Sequence, residues 1–334
     1  MTAQKRFTSA LVPFVLTLVR SGGADASKLE KKYLKVRTAD GMALPDVTLD
    51  DLGALLADAA KALNDPLFGL HSALVMPRGS YGLLEFALRA APTGRVAFEQ
   101  LAKYGALINP LVRWIVEVDG DEVAFHHHAP RKGGVGVQGN IFTVARILQT
   151  SREMLGSKLT PTRAWFAHEA SECPAELRAH LGIDDISFGR SSSGIAFTAR
   201  DLDRVPEGAD VELNRALELH ASALLEQAGG EAEVYGPARK AVLDLLPKGD
   251  ASLAKTARRL GLTARTLQRR LTLEGVKFAD LVGEVRRTQA ERLLSRTDAS
   301  LDEIAERVGY SDTAAFVRAF KKLTGKTPGK FRMA

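Results

Sequence analysis

Arg265, Gln268, Arg269 and Thr272 recur at intervals of three and four, the spacing of one helix face. These side-chain types address base edges: arginine forks onto guanine O6/N7, and glutamine onto adenine N6/N7. Leu267 and Leu271 fall on the other side, roughly 200° and 240° from Arg265 at ~100° per residue. One face is therefore suited to burial and the other to hydrogen bonding in a major groove.

Such a helix needs neighbours to hold it. Ser252 can cap a helix from Leu253 to Leu260. Within it Ala257 is small enough to let a crossing helix approach, and Gly261 supplies a tight turn. Leu262 anchors that turn and Thr263 can cap the helix that follows. The arrangement recurs downstream. Ser300 can cap Leu301 to Val308, Ala305 and Gly309 repeat the small-residue pair, and Tyr310 takes the place of Leu262. The turn there is one residue longer, and the second outer helix runs from Asp312 to Thr324. Its expected inner face is Phe316, Phe320 and Leu323, with Ala314, Val317, Arg318 and Lys321 pointing outward. Between the two units, Phe278 to Ser295 is amphipathic and free of proline. A helix of that length runs ~27 Å, on the order of the ~34 Å repeat of successive major grooves on one face of DNA.

Composition agrees with this placement. The chain has 334 residues, 45% apolar and 26% charged, enough for two or three domains. Its net charge of +6 is unevenly spread. Pro237 to Ala334 holds 21 Lys+Arg against 11 Asp+Glu, whereas the upstream part holds 25 against 29. A basic block on a mildly acidic partner suits a polyanion-binding module joined to a sensing or assembly module. The single cysteine, Cys173, excludes an internal disulfide and a Cys-rich zinc site, and fits a reducing cytosol. Near the start, Lys5 and Arg6 precede an apolar run, Ala10 to Val19, which has the outline of a weak secretory signal. It is read as an ordinary first helix of a cytoplasmic protein. No segment is long enough to span a bilayer, so no membrane partner is expected.

Upstream of a small, polar linker at 228–236, residues 1–227 read as an α+β domain. Leu49 to Leu63, Tyr81 to Ala91, Val96 to Ile108 and Val211 to Gln227 have helical periodicity. Val112 to Val118 alternates, then Asp119-Gly120, then Val123 and Phe125, which predicts a hairpin. Arg163 to His168 reads as a strand, and Ile186 to Phe188 with Ile195 to Phe197 as a second hairpin. Lys132-Gly133-Gly134-Val135-Gly136 lacks the lysine after the glycines and is a loop, not a phosphate cradle. Among His126, His127 and His128 only the first and third share a strand face, and the favoured reading is surface imidazoles at a strand end, with His168 as a further ligand in a metal reading. No cofactor or metal is expected. Trp114 and Trp165 are assigned to the core, while Arg113 and Arg163 suit either solvent or a ligand carboxylate. Leu213, Leu217, His220 and Leu224 form a stripe that fits a dimer seam or packing within the domain.

Residues 237–334 resemble the DNA-binding domain of AraC/XylS-type transcription regulators. The matching text is Ser252-Leu-Ala-Lys-Thr-Ala-Arg-Arg-Leu-Gly261, Leu267-Gln268-Arg269-Arg270-Leu271, Gly309-Tyr-Ser-Asp-Thr-Ala-Ala-Phe-Val-Arg-Ala-Phe-Lys-Lys-Leu-Thr-Gly325, and Thr327-Pro328-Gly329-Lys330-Phe331-Arg332. Upstream, Asn64-Asp65-Pro66-Leu67-Phe68-Gly69-Leu70, Gly79-Ser80-Tyr81-Gly82, Pro92-Thr93 and Asp185-Ile186-Ser187-Phe188-Gly189 are similar to the subgroup with an arabinose-binding-like N-terminal domain, which includes ornithine-utilisation regulators. The resemblance implies a multidomain architecture: an α+β sensing and dimerisation domain at 1–227, the linker 228–236, and an all-α domain at 237–334. That second domain holds helix-turn-helix units at 252–273 and 300–324, joined by a long helix. The resemblance places base contacts at Arg265, Gln268 and Arg269, and at Thr313, Ala314 and Arg318. Arg270, Lys321, Lys322 and Lys326 are read as phosphate contacts or solvated charge.

The function expected is sequence-specific promoter binding on double-stranded DNA across two adjacent major-groove segments. It would activate transcription with RNA polymerase, under an unidentified small-molecule effector, with homodimerisation possible and no enzymatic activity. The alternatives are a nonspecific architectural DNA protein and an enzyme fused to this DNA-binding module. The enzyme reading is poor in residues. Glu172-Cys173-Pro174 has no basic neighbour or second cysteine, and Ser191-Ser192-Ser193-Gly194 is no nucleophile elbow.

Overall fold

The computed structural model describes residues 6–34, 36–39, 42–129, 131, 133–170, 173–227, 234–273 and 276–332. Lys132 of the glycine-rich loop, Glu172 and linker residues 228–233 lie outside the described residues. The chain divides into two compact units, Met1–Gly229 and Gly230–Ala334.

The first unit opens with β1 (Phe7–Thr8) and α1 (Leu11–Ser21). The apolar run at the start is indeed a helix, and Val12, Val15, Leu16 and Val19 are buried in the core at helical spacing. After α2 (Ser27–Tyr33), β2 (Val36–Ala39) and β3 (Met42–Val47) pair antiparallel, and β1 joins the other edge of β3. A capping box starts α3 (Leu49–Ala62): Thr48 Oγ1 accepts from Asp51 N at 3.0 Å, and Asp51 Oδ2 accepts from Thr48 N at 3.0 Å. Then come α4 (Phe68–Val75), α5 (Gly82–Arg89), α6 (Gly94–Tyr104) and a 3₁₀ turn, Gly105–Leu107.

A second sheet follows. β4 (Arg113–Asp119) and β5 (Glu122–His128) form the expected hairpin, with Asp119 opposite Glu122. The remaining elements are α7 (Val137–Leu155), β6 (Arg163–Trp165), α8 (Ala175–Leu181), β7 (Ile186–Ser187), β8 (Ser193–Thr198), α9 (Ala199–Leu202) and α10 (Val211–Gln227). The strand order is β4-β5-β8-β6-β7. The second hairpin expected from sequence does not form. β8 runs antiparallel between β5 and β6, and β7 pairs parallel with the far side of β6. The reason lies in burial on both faces: Ile195, Ala196 and Phe197 are each 0% exposed, which suits a central strand. The residues expected to turn instead bond into the sheet end, with Arg190 N donating to Phe166 O at 3.0 Å and Trp165 Nε1 to Ser192 Oγ at 3.1 Å. β6 is also shorter than expected, spanning Arg163–Trp165, although Phe166 N still donates to Ser187 O at 2.8 Å in line with the β6–β7 pairing.

The three histidines are not surface imidazoles. His126 and His127 are buried and His128 half-buried. His126 and His128 do share one face, reaching Ser192 Oγ and Ser191 O, both at 3.1 Å. His127 takes the other face beside Trp114, its cross-strand partner, with ring centroids 5.7 Å apart. Among the described residues no group of three His, Cys, Asp or Glu is placed to hold a metal ion. Arg163 is paired rather than solvated, donating to Glu122 through Nε (3.0 Å) and Nη2 (2.8 Å) and lying over the Trp165 ring. Burial raises the Cys173 thiol above its ordinary value, only partly offset by Arg178, which is the reverse of an activated nucleophile. On α10, Asn214 and Ala221 face inward, Asn214 donating to Ala87 O at 2.7 Å, while Leu213 and His220 of the expected stripe are exposed.

The second unit is helical throughout its described residues: α11 (Tyr235–Leu245), a 3₁₀ turn Leu246–Lys248, α12 (Leu253–Arg259), α13 (Ala264–Leu273), α14 (Phe278–Arg296), α15 (Leu301–Arg307), α16 (Thr313–Thr324) and α17 (Pro328–Arg332). Tyr235 and Gly236, expected in the linker, lie in α11. The middle helix α14 is clamped toward both neighbours. Glu284 accepts from Tyr235 Oη and from Arg239 Nε (3.4 Å), tying it to α11. Arg286 donates to Gly309 O at 3.0 Å and stacks on Tyr310, with 4.6 Å to the ring centroid. The C-terminal half of α14 supplies Ala290 and Leu294 to a core with Ile304, Val308, Phe316, Phe320 and Phe331.

Two predictions follow from burial and backbone. Gly261 and Gly309 occupy equivalent turns with φ +67° and +74°, but a Cβ at 261 would meet open space whereas one at 309 would lie 2.6 Å from Leu246 O. Gly261→Ala should therefore cost only the left-handed backbone penalty, about 1–2 kcal/mol. Gly309→Ala should cost more, about 3 kcal/mol or above, when both are measured by urea unfolding. The second prediction concerns pH. Burial, with smaller contributions from His126 and His128, lowers His127 to about 3, and burial lowers His168 to about 4. Unfolded imidazoles protonate near ~6.5, so these two groups leave stability intact above that pH and erode it as pH falls toward their folded values. His71 shifts the other way, because hydrogen bonds to Asp65 and Glu176 outweigh its burial, but its 41% side-chain exposure screens the effect. The first unit should lose about 2–4 kcal/mol between pH 7 and pH 5, and His127→Phe should flatten roughly half of that slope.

Candidate nucleic-acid interface

Ser252 Oγ accepts from Lys255 N at 3.3 Å and starts α12, and Thr263 Oγ1 accepts from Thr266 N at 3.1 Å and starts α13. The turn between them closes with Leu262 N donating to Ala257 O at 2.9 Å. Leu267 and Leu271 are 0% exposed, so α13 is pinned by the two leucines anticipated from spacing. Arg265, Gln268, Arg269 and Thr272 are exposed on its other side, and Arg270 is half-buried at the margin. Thr272 Oγ1 donates to Gln268 O at 2.8 Å, so its hydroxyl proton is used within the helix.

The second unit repeats this construction. Ser300 and Glu303 form a capping box on α15, and Tyr310 N donates to Ala305 O at 2.9 Å, matching the closure of the first turn. Asp312 Oδ1 accepts from Ala315 N at 2.7 Å and caps α16. Phe316 and Phe320 are buried. Leu323, expected beside them, is 43% exposed, because Phe331 of α17 takes the core position and packs edge-on against Phe320 with centroids 5.3 Å apart. Val317, expected to point outward, is half-buried against the same core. Ala314, Arg318, Lys321, Lys322 and Lys326 are exposed. Thr313 is half-buried, and its hydroxyl donates to the Asp302 carboxylate on α15. The outer face of α13 is thus rich in bidentate hydrogen-bonding groups, while α16 offers Arg318 and a lysine pair.

The N-terminal unit holds a feature that periodicity could not reveal. Between α3, α5, α6, α7 and the β4–β5 face lies a cavity of about 130 Å³ with walls that include Leu52, Leu56, Phe98 and Phe142. At one end Trp114 Nε1 and both ring nitrogens of His127 are buried with no hydrogen-bond partner. At another, Arg146 donates to Glu85 Oε1 (3.2 Å) and Met76 O (3.3 Å) while its Nε has no partner. Glu85 also accepts from Arg89 at 2.9 Å and Arg89 reaches Glu153 at 2.7 Å, so Arg146 and Arg89 are matched by two carboxylates, while the exposed Arg78 approaches Glu153 from outside. The signal in the sequence was Trp114 alternating with Val112 and Val116. Spacing could not show that its indole and His127 face an opening.

Two family models match the chain: the arabinose-binding domain of AraC transcription regulators, N-terminal, over residues 38–205, and a helix-turn-helix domain over residues 256–334. The HTH-type transcriptional regulator VirS of Mycobacterium tuberculosis is 30% identical over 284 residues, covering 83% of this chain and 82% of that protein. The ornithine utilization regulator of Pseudomonas aeruginosa is 23% identical over 290 residues, covering 85% and 84%. Among solved structures, the transcriptional regulator CdpR of Pseudomonas aeruginosa aligns with 84% of this chain and 91% of its own at 22% identity and a TM-score of 0.44. Two family models in register with the two units, together with a relative spanning both, show that this chain belongs to the AraC-type transcription regulators, with an arabinose-binding-type N-terminal domain and a helix-turn-helix DNA-binding domain.

Proposed function

We propose that the chain reads promoter DNA through two adjacent major grooves and that α13 supplies most of the sequence discrimination. The observation that carries this reading is the outer face of α13, where Arg265, Gln268 and Arg269 stand exposed over the buried pair Leu267 and Leu271. Arginine and glutamine make the bidentate base contacts that distinguish one pair from another. On α16, Ala314 offers a methyl for thymine, Arg318 a single fork, and Thr313 a hydroxyl already donated to Asp302. Lys321 and Lys322, with Arg270 at the edge of α13, hold phosphates and set register. This division makes the second unit chiefly a positioning clamp.

The N-terminal unit acts as the sensor in this account, since it pairs an arabinose-binding-type domain with a cavity lined by unsatisfied buried polar atoms. A homodimer through α10 is supported by Leu213 and Leu219, which are 48% and 67% exposed on that helix. Activation through RNA polymerase, in the cytoplasm, completes the reading. No helix among the described residues is long and apolar enough to cross a membrane.

Selection of bound sequences from a random duplex pool by the full chain at physiological salt should recover two short blocks about one helical turn, ~10 base pairs, apart. Arg269→Ala should relax one position of the stronger block at a cost of about 1–3 kcal/mol. An equal loss on all sequences would assign Arg269 to phosphate and defeat the proposal. Lys321→Ala should behave in the opposite way, weakening every sequence alike and lowering the salt slope of binding by about one.

A further inference from the structure

Buried polar atoms are almost always satisfied, so a cluster of unsatisfied ones around a single opening points to a missing partner. The cavity of the N-terminal unit has such a cluster. Trp114 Nε1 is a donor only, and it is buried without a partner. His127 is 2% exposed with neither ring nitrogen bonded, and Arg146 is 6% exposed with its Nε unbonded. All three line the same space.

The rest of the lining limits what can fill it. Phe98 stacks on Phe125 with centroids 4.8 Å apart and Trp114 stacks on Phe125 at 5.8 Å, so the two aromatic residues that line the cavity here, Phe98 and Trp114, are both backed by the buried Phe125. Gly105 is required beside Trp114, since a Cβ there would come within 2.1 Å of the Trp114 ring. Leu52, Leu56 and Phe142 also line the cavity. At about 130 Å³ the cavity is close to the ~150 Å³ apolar space that accommodates a benzene-sized molecule. Charge offers no anchor for an ion. The Arg146 and Arg89 guanidiniums are matched by the Glu85 and Glu153 carboxylates, a third arginine that approaches Glu153, Arg78, lies 70% exposed in solvent, and burial keeps His127 neutral at ordinary pH. An added carboxylate would go into this site desolvated and without a net counter-charge. A pentose would bury several hydroxyls at a cost that a few free polar atoms cannot offset.

We infer that this cavity binds a compact, neutral, largely apolar molecule that packs against the Phe98 and Trp114 rings and accepts one hydrogen bond from Trp114 Nε1, rather than a sugar or an organic anion. The inference rests on the sensing role proposed above and names the chemistry of its ligand.

Titration calorimetry of the full chain with matched probes tests it. Acetophenone, a neutral ring with one carbonyl acceptor, should bind. Ethylbenzene, which has the shape without the acceptor, should bind about 3- to 10-fold more weakly, the worth of one net hydrogen bond. Benzoate should be weaker than acetophenone by at least about tenfold, and arabinose should give no heat of binding. Trp114→Phe keeps an aromatic side chain but is smaller and has no N–H. It should abolish the preference for acetophenone over ethylbenzene, a pattern that general loss of structure would not produce. The inference is overturned if benzoate or arabinose binds as tightly as acetophenone, or if Trp114→Phe weakens acetophenone and ethylbenzene alike. It is also overturned if none of the four probes binds to protein that still selects its DNA blocks, an outcome that leaves the promoter-binding reading standing. Probe binding as expected by protein that selects no DNA sequence would support the cavity assignment and defeat the promoter reading instead.

Discussion

The DNA-binding unit depends on the grip that its middle helix has on the elements before and after it. Glu284 of α14 takes Tyr235 and Arg239 of α11, and two residues later Arg286 takes Gly309 O and the Tyr310 ring in the turn of the second helix-turn-helix. Without these contacts α14 would be an amphipathic rod with a separate small core at each end. With them, the turn that aims α16 is referred to the same helix that packs on α11. Part-buried charge-assisted hydrogen bonds of this kind add directional specification that apolar packing alone supplies less sharply. Gly309 belongs to the same constraint, because the close approach of Leu246 O leaves no room for a side chain there.

From that frame the two recognition helices inherit different chemistry. Each is held by two large apolar residues, Leu267 and Leu271 on α13, Phe316 and Phe320 on α16, and each turn closes by the same backbone bond. The architecture is duplicated but the outer faces are not. Forks and amides crowd α13, whereas α16 has Ala314 and a threonine already engaged by Asp302. In the function proposed here, a duplicated scaffold with one face of bidentate groups and one cationic face would give sequence readout and orientation to different halves, in keeping with the separation of specifying and positioning contacts on DNA.

How much of this was legible in the chain follows from the range of each interaction. Ser252, Thr263 and Ser300 act within three residues, and all three cap the helices that their positions forecast, while Asp312, expected as the first residue of its helix, is that helix's cap. Leu267 and Leu271 lie on a single helix face, so periodicity sufficed. Leu323 was misjudged because its expected place is taken by Phe331, which arrives from the next helix. Strand order failed for the same reason. Nothing local says that β8 threads between β5 and β6, and adjacent apolar segments around a serine-rich turn imitate a hairpin. The three histidines looked like an exposed strand end, yet β5 has a partner on each side and helices against its face, so two of them are buried. The cavity was the least legible feature. Trp114 has the signature of an ordinary core residue, and only the packing of several distant helices leaves its indole nitrogen without a partner.

The most direct test of the clamp is to remove it without touching either recognition helix. In Arg286→Ala the Gly309 and Tyr310 contacts are lost while α13 and α16 keep every residue on their outer faces. Selection from random duplex by the full chain should then recover the block read by α13 unchanged, with the second block lost or its distance from the first spread over several base pairs. Recovery of both blocks at the wild-type distance and affinity would contradict the account, and would mean that the spacing of the two units is set by the DNA rather than by α14.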